Sequence, residues 1–274
     1  MSDHQLLAES LDYLKQKIPP KPAVAIILGS GLGALADELQ QPTIISCNDI
    51  PNYPVSTVPG HAGVWVSGKL EGVSVLAMRG RVHTYEGYSA SQVAFPVRLM
   101  AGLGISRLIV TNAAGGVNKT FQPGDLMLIT DHINFMFDNP LIGETAPADQ
   151  RFVDLHGAYD PKYIEQTKRT AKTLNTQLKE GVLLTARGPA YETAAEVNMT
   201  RFLGADAVTM STVPEVIIAR QLKMRVLGIS CITNMATGIS GQKLSHAEVQ
   251  QTADSIKTRF IALMKKILTS IPNW

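Results

Sequence analysis

Ala23-Val24-Ala25-Ile26-Ile27-Leu28-Gly29-Ser30-Gly31-Leu32-Gly33-Ala34 is the stretch on which the fold turns. Its first six residues are apolar without alternation, the pattern of a strand covered on both faces. Glycines follow at once, and a helical pattern runs over 32–39. A buried strand feeding a helix is the unit from which parallel sheets are built. The same alternation continues outward along the chain. Short apolar runs read as strands over 24–28, 63–67, 73–77, 108–111, 126–130, 181–185, 207–210 and 226–232. Helical periodicity covers 5–15, 32–39, 91–102, 161–174, 194–203, 214–222 and 246–269. Glu71-Gly72 marks one hairpin. The pattern predicts an α/β fold, a single domain over 1–274 with a mixed, largely parallel central sheet flanked by helices.

Composition narrows the function. With 274 residues and 45% hydrophobic content the chain can fill a sizeable core. A net charge of +2, with Lys and Arg scattered, makes no basic field for nucleic acid. Cys47 and Cys231 form neither a metal spacing nor a disulfide framework, which fits a reducing cytoplasm. The opening MSDHQLLAESLDYLKQ carries Asp3, Glu9 and Asp12 and lacks an apolar run, so it reads as an amphipathic helix and not a secretion signal. No apolar run approaches a membrane span. Residues 137–158, which include Pro, Gly, Asp and Asn, are the longest unpatterned stretch and read as a flap or interface element.

The glycine-rich turn supports two readings. Gly29-Ser30-Gly31-Leu32-Gly33-Ala34 matches G-x-G-x-x-A between strand and helix, and Asp49 lies about twenty residues on, as a dinucleotide fingerprint requires. A nicotinamide or flavin oxidoreductase follows from that match. The broader reading is an anion site, with Ser30 as a hydroxyl donor and free N–H groups at a helix start.

Further strand ends carry polar side chains. Met78-Arg79-Gly80-Arg81-Val82-His83-Thr84-Tyr85-Glu86-Gly87 follows the run 73–77, and its alternate positions Arg81, His83 and Tyr85 share one face of an extended chain. Guanidinium, imidazole and phenol together suit an oxyanion beside a hydroxylated molecule. Asn112-Ala113-Ala114-Gly115-Gly116 leaves backbone open to a ligand, with the Ala113 N–H as a donor. Thr193 and Glu196 form a capping box that presents Glu192 just outside a helix, beside Tyr191. A carboxylate next to an aromatic ring suits a heterocycle with N–H donors. Ser211 precedes a further helix, and Asn234 offers both an amide donor and a carbonyl acceptor. Ser245 with Glu248 caps the last helix, and His246 sits in its first turn, where the dipole favours neutral imidazole.

In ILGSGLGALAD, VPGHAG, MRGRVHTYEGY, VTNAAGGVN, GDLMLITDHIN, GPAYETAAE, MSTVPEVIIAR, ITNMATG and KLSHAEV the chain resembles the trimeric class of purine nucleoside phosphorylases over nearly its whole length. The resemblance implies a nucleoside phosphorylase fold and reversible phosphorolysis of inosine, guanosine and their 2′-deoxy forms to free purine and (deoxy)ribose 1-phosphate. It makes the dinucleotide match a false trail. It implies a phosphate site at Ser30, His61, Arg81, His83, Ala113 and Ser211. Tyr85, Met210 and His246 would contact ribose, and Tyr191, Glu192 and Asn234 the purine. His83, Glu192, Asn234 and His246 would carry the catalytic work. Inorganic phosphate is then a co-substrate, with no cofactor and no metal. The resemblance further implies a homotrimer in which Phe152 closes a neighbour's site. Two positions depart from the family: Tyr191 stands where better-known sequences have Phe, and Thr209 where many have Gly. The related methylthioadenosine phosphorylases carry an aspartate where this chain has Asn234. An enzyme of that related kind, a non-catalytic nucleoside sensor on the same fold and the dinucleotide oxidoreductase are the rival readings.

Overall fold

Strand β1 (Val24–Leu28) is buried at every position. Ala25 and Ile27 enter one apolar core while Val24, Ile26 and Leu28 enter another, the period-two alternation of an extended chain. The structure, a computed structural model, describes residues 3–19, 21–58, 62–143, 151–239 and 246–270. The remaining strands are β2 (Gln40–Ser46), β3 (Val64–Leu70), β4 (Val73–Arg79), β5 (Arg107–Gly116), β6 (Leu126–Asn134), β7 (Leu178–Thr185), β8 (Ala207–Thr209) and β9 (Arg225–Met235). The helices are α1 (Asp3–Lys17), α2 (Ala90–Val93), α3 (Phe95–Gly102), α4 (Pro161–Thr173), α5 (Ala194–Phe202), α6 (Val213–Gln221) and α7 (His246–Ser270).

The sheet order is β2-β3-β4-β1-β5-β8-β7-β6-β9, and β5 also pairs with β9. The strands from β5 to β9 therefore close into a ring, with β1–β4 as a sheet running off one side. Pairings β1–β4, β1–β5, β5–β9, β6–β7 and β7–β8 are parallel. Pairings β2–β3, β3–β4, β5–β8 and β6–β9 are antiparallel. The sheet is mixed as expected, with more antiparallel pairing than strand–helix alternation alone implies. The expected hairpin joins β3 to β4, and Glu71 and Gly72 both take positive φ (50° and 78°), as a two-residue turn between twisted strands requires.

Helices cover both faces. Leu14 of α1, Val97 of α3 and Val216 of α6 lie in one core. Tyr163 of α4 and Ile256, Phe260, Leu263 and Ile267 of α7 lie in the other. The four–three spacing read in α7 is the buried stripe, and each large side chain on it stabilises the fold by roughly 1.5–3 kcal/mol. Ser245 of its expected capping box lies outside the described residues.

Three expectations change. The stretch 32–39 is not an α-helix but a 3-10 helix, Gly33–Glu38. The run 91–102 splits into α2 and α3, because Pro96 cannot donate the backbone bond that would carry one helix through Ala94. An additional strand, β2, forms from QQPTIIS and pairs antiparallel at the sheet edge. That edge position also removes the dinucleotide reading. A dinucleotide fold needs a second strand parallel to β1 and joined to it by a helix. Here β1 lies between β4 and β5, and Asp49 falls in a short 3-10 turn, Cys47–Asp49.

Candidate active site

The carboxyl ends of β1, β4, β5, β7, β8 and β9 meet around one cleft. It is lined by Ser30, Arg81, His83, Tyr85, Ala113, Tyr191, Glu192, Met210, Ser211 and Asn234, among others. Residues singled out from distant parts of the sequence are thus brought together. His61 lies outside the described residues. His246 begins α7, whose Val249 lines the cleft, and the His246 side chain is outside what is described. Phe152 does not reach this cleft. It is 78% exposed and lines a separate surface depression with Ile142 and Arg151.

Arg81, His83 and Tyr85 do share the cleft, but not as alternate residues of a strand. β4 stops at Arg79, and Thr84–Glu86 is a 3-10 helix. The glycines of the first loop also work differently from expectation. A Cβ on Gly29 would fall 2.7 Å from Asn112 Cα, so the residue is needed for close packing of the loop on β5. Gly188 has φ +66°, and a Cβ there would fall 2.4 Å from Met210 Sδ. Only glycine lets the 188–193 loop lie this close to Met210.

Arg81 is buried (4% exposed) and well bonded. Its Nη1 donates to Thr212 Oγ1 at 2.9 Å and Ser211 Oγ at 3.2 Å. Its Nη2 donates to Thr111 O. Glu215 Oε1 stands 3.5 Å from Nη1 as an ion-pair partner. Burial lowers the guanidinium pKa and the Glu215 charge works against that shift. Thr212 has φ +79°, rare for a β-branched residue, and its hydroxyl also accepts from Asn112 Nδ2 at 3.0 Å. Thr209 donates to Ala113 O at 3.0 Å. The extra side chain at this departure from the family is thus held by a hydrogen bond to the strand beside it.

His83 is set by Glu86. The carboxylate accepts from the His83 backbone N–H at 2.8 Å, and its Oε1 lies 3.0 Å from Nδ1. It also accepts from Thr57 N–H at 2.5 Å and Thr57 Oγ1 at 2.8 Å. Burial by itself would raise the Glu86 pKa, but the bonds from His83 and Thr57 outweigh it and hold the acid at about 2. The imidazole stacks on Tyr85, with centroids 4.6 Å apart and planes at 11°. Burial pushes the Tyr85 phenol up to about 12, so it stays neutral and can donate a hydrogen bond.

Glu192 is half-buried just outside α5, whose Thr193–Glu196 capping box forms as expected. Burial raises its pKa. Asn234 Oδ1 accepts from Thr233 Oγ1 at 2.9 Å and its Nδ2 donates to Met235 O at 3.3 Å. Tyr191 is 43% exposed. Sequence reading missed Thr111, Thr212, Glu215 and Glu86. The three-residue spacing of His83 and Glu86 was a usable signal, whereas the positive φ of Thr212 leaves no mark in the sequence. Among the described residues no group of three or more His, Cys, Asp or Glu could hold a metal ion.

Residues 23–269 match the family model described as Phosphorylase superfamily. The chain is 55% identical over 257 residues to purine nucleoside phosphorylase 1 of Bacillus subtilis, covering 93% of this chain and 95% of that protein. Among solved structures, purine nucleoside phosphorylase isoform 2 of Schistosoma mansoni, in complex with cytosine and ribose-1-phosphate, superposes with a TM-score of 0.88 at 37% identity. That match covers 97% of this chain and 96% of the other. A Schistosoma mansoni purine nucleoside phosphorylase in complex with adenosine superposes with a TM-score of 0.89 at 35% identity, covering 96% of each chain.

Proposed function

The chain belongs to the phosphorylase superfamily and has the activity of a purine nucleoside phosphorylase, and from that premise we propose that it prefers 6-oxopurine nucleosides and works as a homotrimer. The observation that carries this reading is one cleft holding two kinds of recognition. Arg81, His83, Ser30, Ser211 and the Ala113 backbone suit a phosphate, and Tyr191, Glu192 and Asn234 suit a purine edge.

Phosphorolysis breaks the N-glycosidic bond as phosphate attacks the sugar carbon. Positive charge grows on the ribose and negative charge on the departing purine. Arg81 and its neighbours hold phosphate against the cationic sugar, which it both stabilises and captures. Asn234 stabilises the purine as N7 and O6 gain electron density. Ionised Glu192 accepts from N1–H and from the 2-amino group of guanine. Adenine has no proton at N1 for Glu192 to accept, so inosine and guanosine are favoured. Tyr85, Met210 and His246 position ribose. His61 joins the phosphate site, no cofactor takes part, and two free, buried cysteines fit the cytoplasm.

Purified protein should release hypoxanthine from inosine only when phosphate is present, and adenine from adenosine far more slowly. Adenosine is the informative competitor, because a relative's structure contains it. Equal kcat/KM for the two nucleosides would overturn the preference.

For assembly, the supporting feature is Phe152, an aromatic ring left largely exposed on the 137–158 stretch with Phe137 and Ile142 exposed nearby. In a head-to-tail ring it would cover the ribose of the adjacent site. Light scattering should give three times the 29.6 kDa chain. Phe152→Ala should raise the nucleoside KM with thermal stability unchanged. Mixing Phe152→Ala with His246→Ala protomers should restore activity, since some sites in a mixed ring draw both intact residues from different chains. A monomer, or no recovery on mixing, would refute the shared site.

A further inference from the structure

Glu215 stands behind the phosphate-side residues and has no part in the phosphorolysis steps. Its side chain is 0% exposed in the first turn of α6. Neither carboxylate oxygen has a hydrogen-bond partner among the described residues. Oε1 lies 3.5 Å from Arg81 Nη1, an ion-pair distance beyond the usual hydrogen-bond range. The orientation of Arg81 is already set by Thr111 O, Ser211 Oγ and Thr212 Oγ1 as acceptors. A carboxylate with its acceptor capacity unused contributes little direction. What it contributes is charge.

A guanidinium this deeply buried needs a compensating anion when the cleft is empty. Phosphate then arrives as a second anion on the same cation. Each anion disfavours the other, because like charges near a partly desolvated site repel strongly. We propose that Glu215 is the resident counter-ion of Arg81, and that its charge holds phosphate affinity down so that the anion exchanges between turnovers. Glu215 thus acts on phosphate only through Arg81, by its charge. The proposal rests on the assignment of Arg81 to phosphate.

The test is calorimetry with inorganic phosphate on the full chain, with phosphate KM measured alongside. Wild-type protein that binds phosphate, and Arg81→Ala that does not, establish the assignment beneath the proposal. If wild-type protein binds no phosphate, the phosphorylase reading itself fails. Glu215→Gln keeps the shape and removes the charge. It should bind phosphate about tenfold more tightly and show a lower phosphate KM, without any rise in kcat. Its melting temperature should fall without phosphate and recover with it. A purely structural role for Glu215 would lower the melting temperature without tightening phosphate. Unchanged or weaker phosphate binding in Glu215→Gln overturns the proposal while leaving Arg81 assigned. Should Glu215→Gln fail to fold, the double variant Arg81→Met/Glu215→Leu decides. A folded double variant that binds no phosphate shows that Glu215 is required only because Arg81 is buried. A double variant that also fails to fold gives Glu215 another purpose and overturns the proposal.

Discussion

The proposed phosphate side and the proposed base side of the cleft are built to different standards. Arg81, Ser211 and Thr212 are buried and joined to one another and to β5, β7 and β8, and His83 is buried and held by Glu86. Glu192 and Tyr191 sit half-buried or exposed on a loop, and Asn234 bonds chiefly to its own chain neighbours. The difference teaches where ordering is done. On the phosphate side the side chains are immobilised when the protein folds, so phosphate meets a prepared site. On the base side part of that ordering is left to nucleoside binding, which then draws on its own interaction energy. The two departures from the family divide along the same line. Thr209 is tied into the braced side by its bond to Ala113 O, while Tyr191, 43% exposed, stands on the open side.

Breaking the braced side should do the most damage. Arg81→Ala removes the cation and leaves Glu215 buried without its partner. Loss of one half of a buried pair destabilises by roughly 3–5 kcal/mol. Loss of a preorganised charge donor lowers turnover by about 10²–10³-fold. Phosphate binding should vanish in calorimetry, with nucleoside binding without phosphate largely retained. Unchanged phosphate affinity would return Arg81 to a structural role and dissolve the contrast between the two sides.

On the open side the same kind of change should alter preference more than stability. Asn234→Asp places a carboxyl group where it can share a proton with, or accept from, the 6-amino and N7 edge of adenine. One polar match gained or lost is worth about 1–3 kcal/mol, or about 5- to 150-fold in the adenosine-to-inosine ratio of kcat/KM. Thermal stability should stay close to wild type, because the Asn234 bonds are local. A ratio that stays flat or falls would remove Asn234 from the purine.

Glu192 gives a finer measure of the same openness. Its pKa is raised by burial, and in the proposed reading the ionised form is the one that accepts from N1–H. As pH falls, kcat/KM for inosine should therefore decline through a value above the ordinary glutamate range. The limb should disappear in Glu192→Gln, whose activity is low at every pH. A limb that persists unchanged in that variant belongs to another group.

The braced side is legible in the sequence only in part. Arg81, His83 and Tyr85 do line the cleft, yet the alternate spacing that pointed to them does not exist in the fold. The chain leaves β4 at Arg79 and brings all three round through a turn. Composition is the sound signal there, and periodicity is not. Most strands are legible because unbroken apolar runs mark burial on both faces, whereas β2 is hidden because its first four residues are polar or proline. The closing of β5–β9 into a ring depends on pairings between strands distant in sequence, which no local pattern records. Thr212 and Glu215 escape notice for the same reason. Each is explained by Arg81, more than 130 residues earlier in the chain.

The smallest effect tests how far the bracing reaches. Glu86 links His83 to Ser56 and Thr57, on the segment leading toward His61. Its folded pKa is about 2, below its ordinary 4.5. A carboxylate depressed in the folded state adds stability that is fully present above its unfolded pKa. That contribution should fade as pH falls from about 4.5 toward about 2. Melting curves across this window should show wild-type stability dropping more steeply than that of Glu86→Gln, which has no charge to lose. Above about pH 5 the order should be clear, with Glu86→Gln the less stable and its phosphate KM raised because His83 is less firmly set. Parallel stability curves for the two proteins through this window would mean that the Glu86 bonds add nothing measurable, and that the braced side ends at Arg81 and its three acceptors.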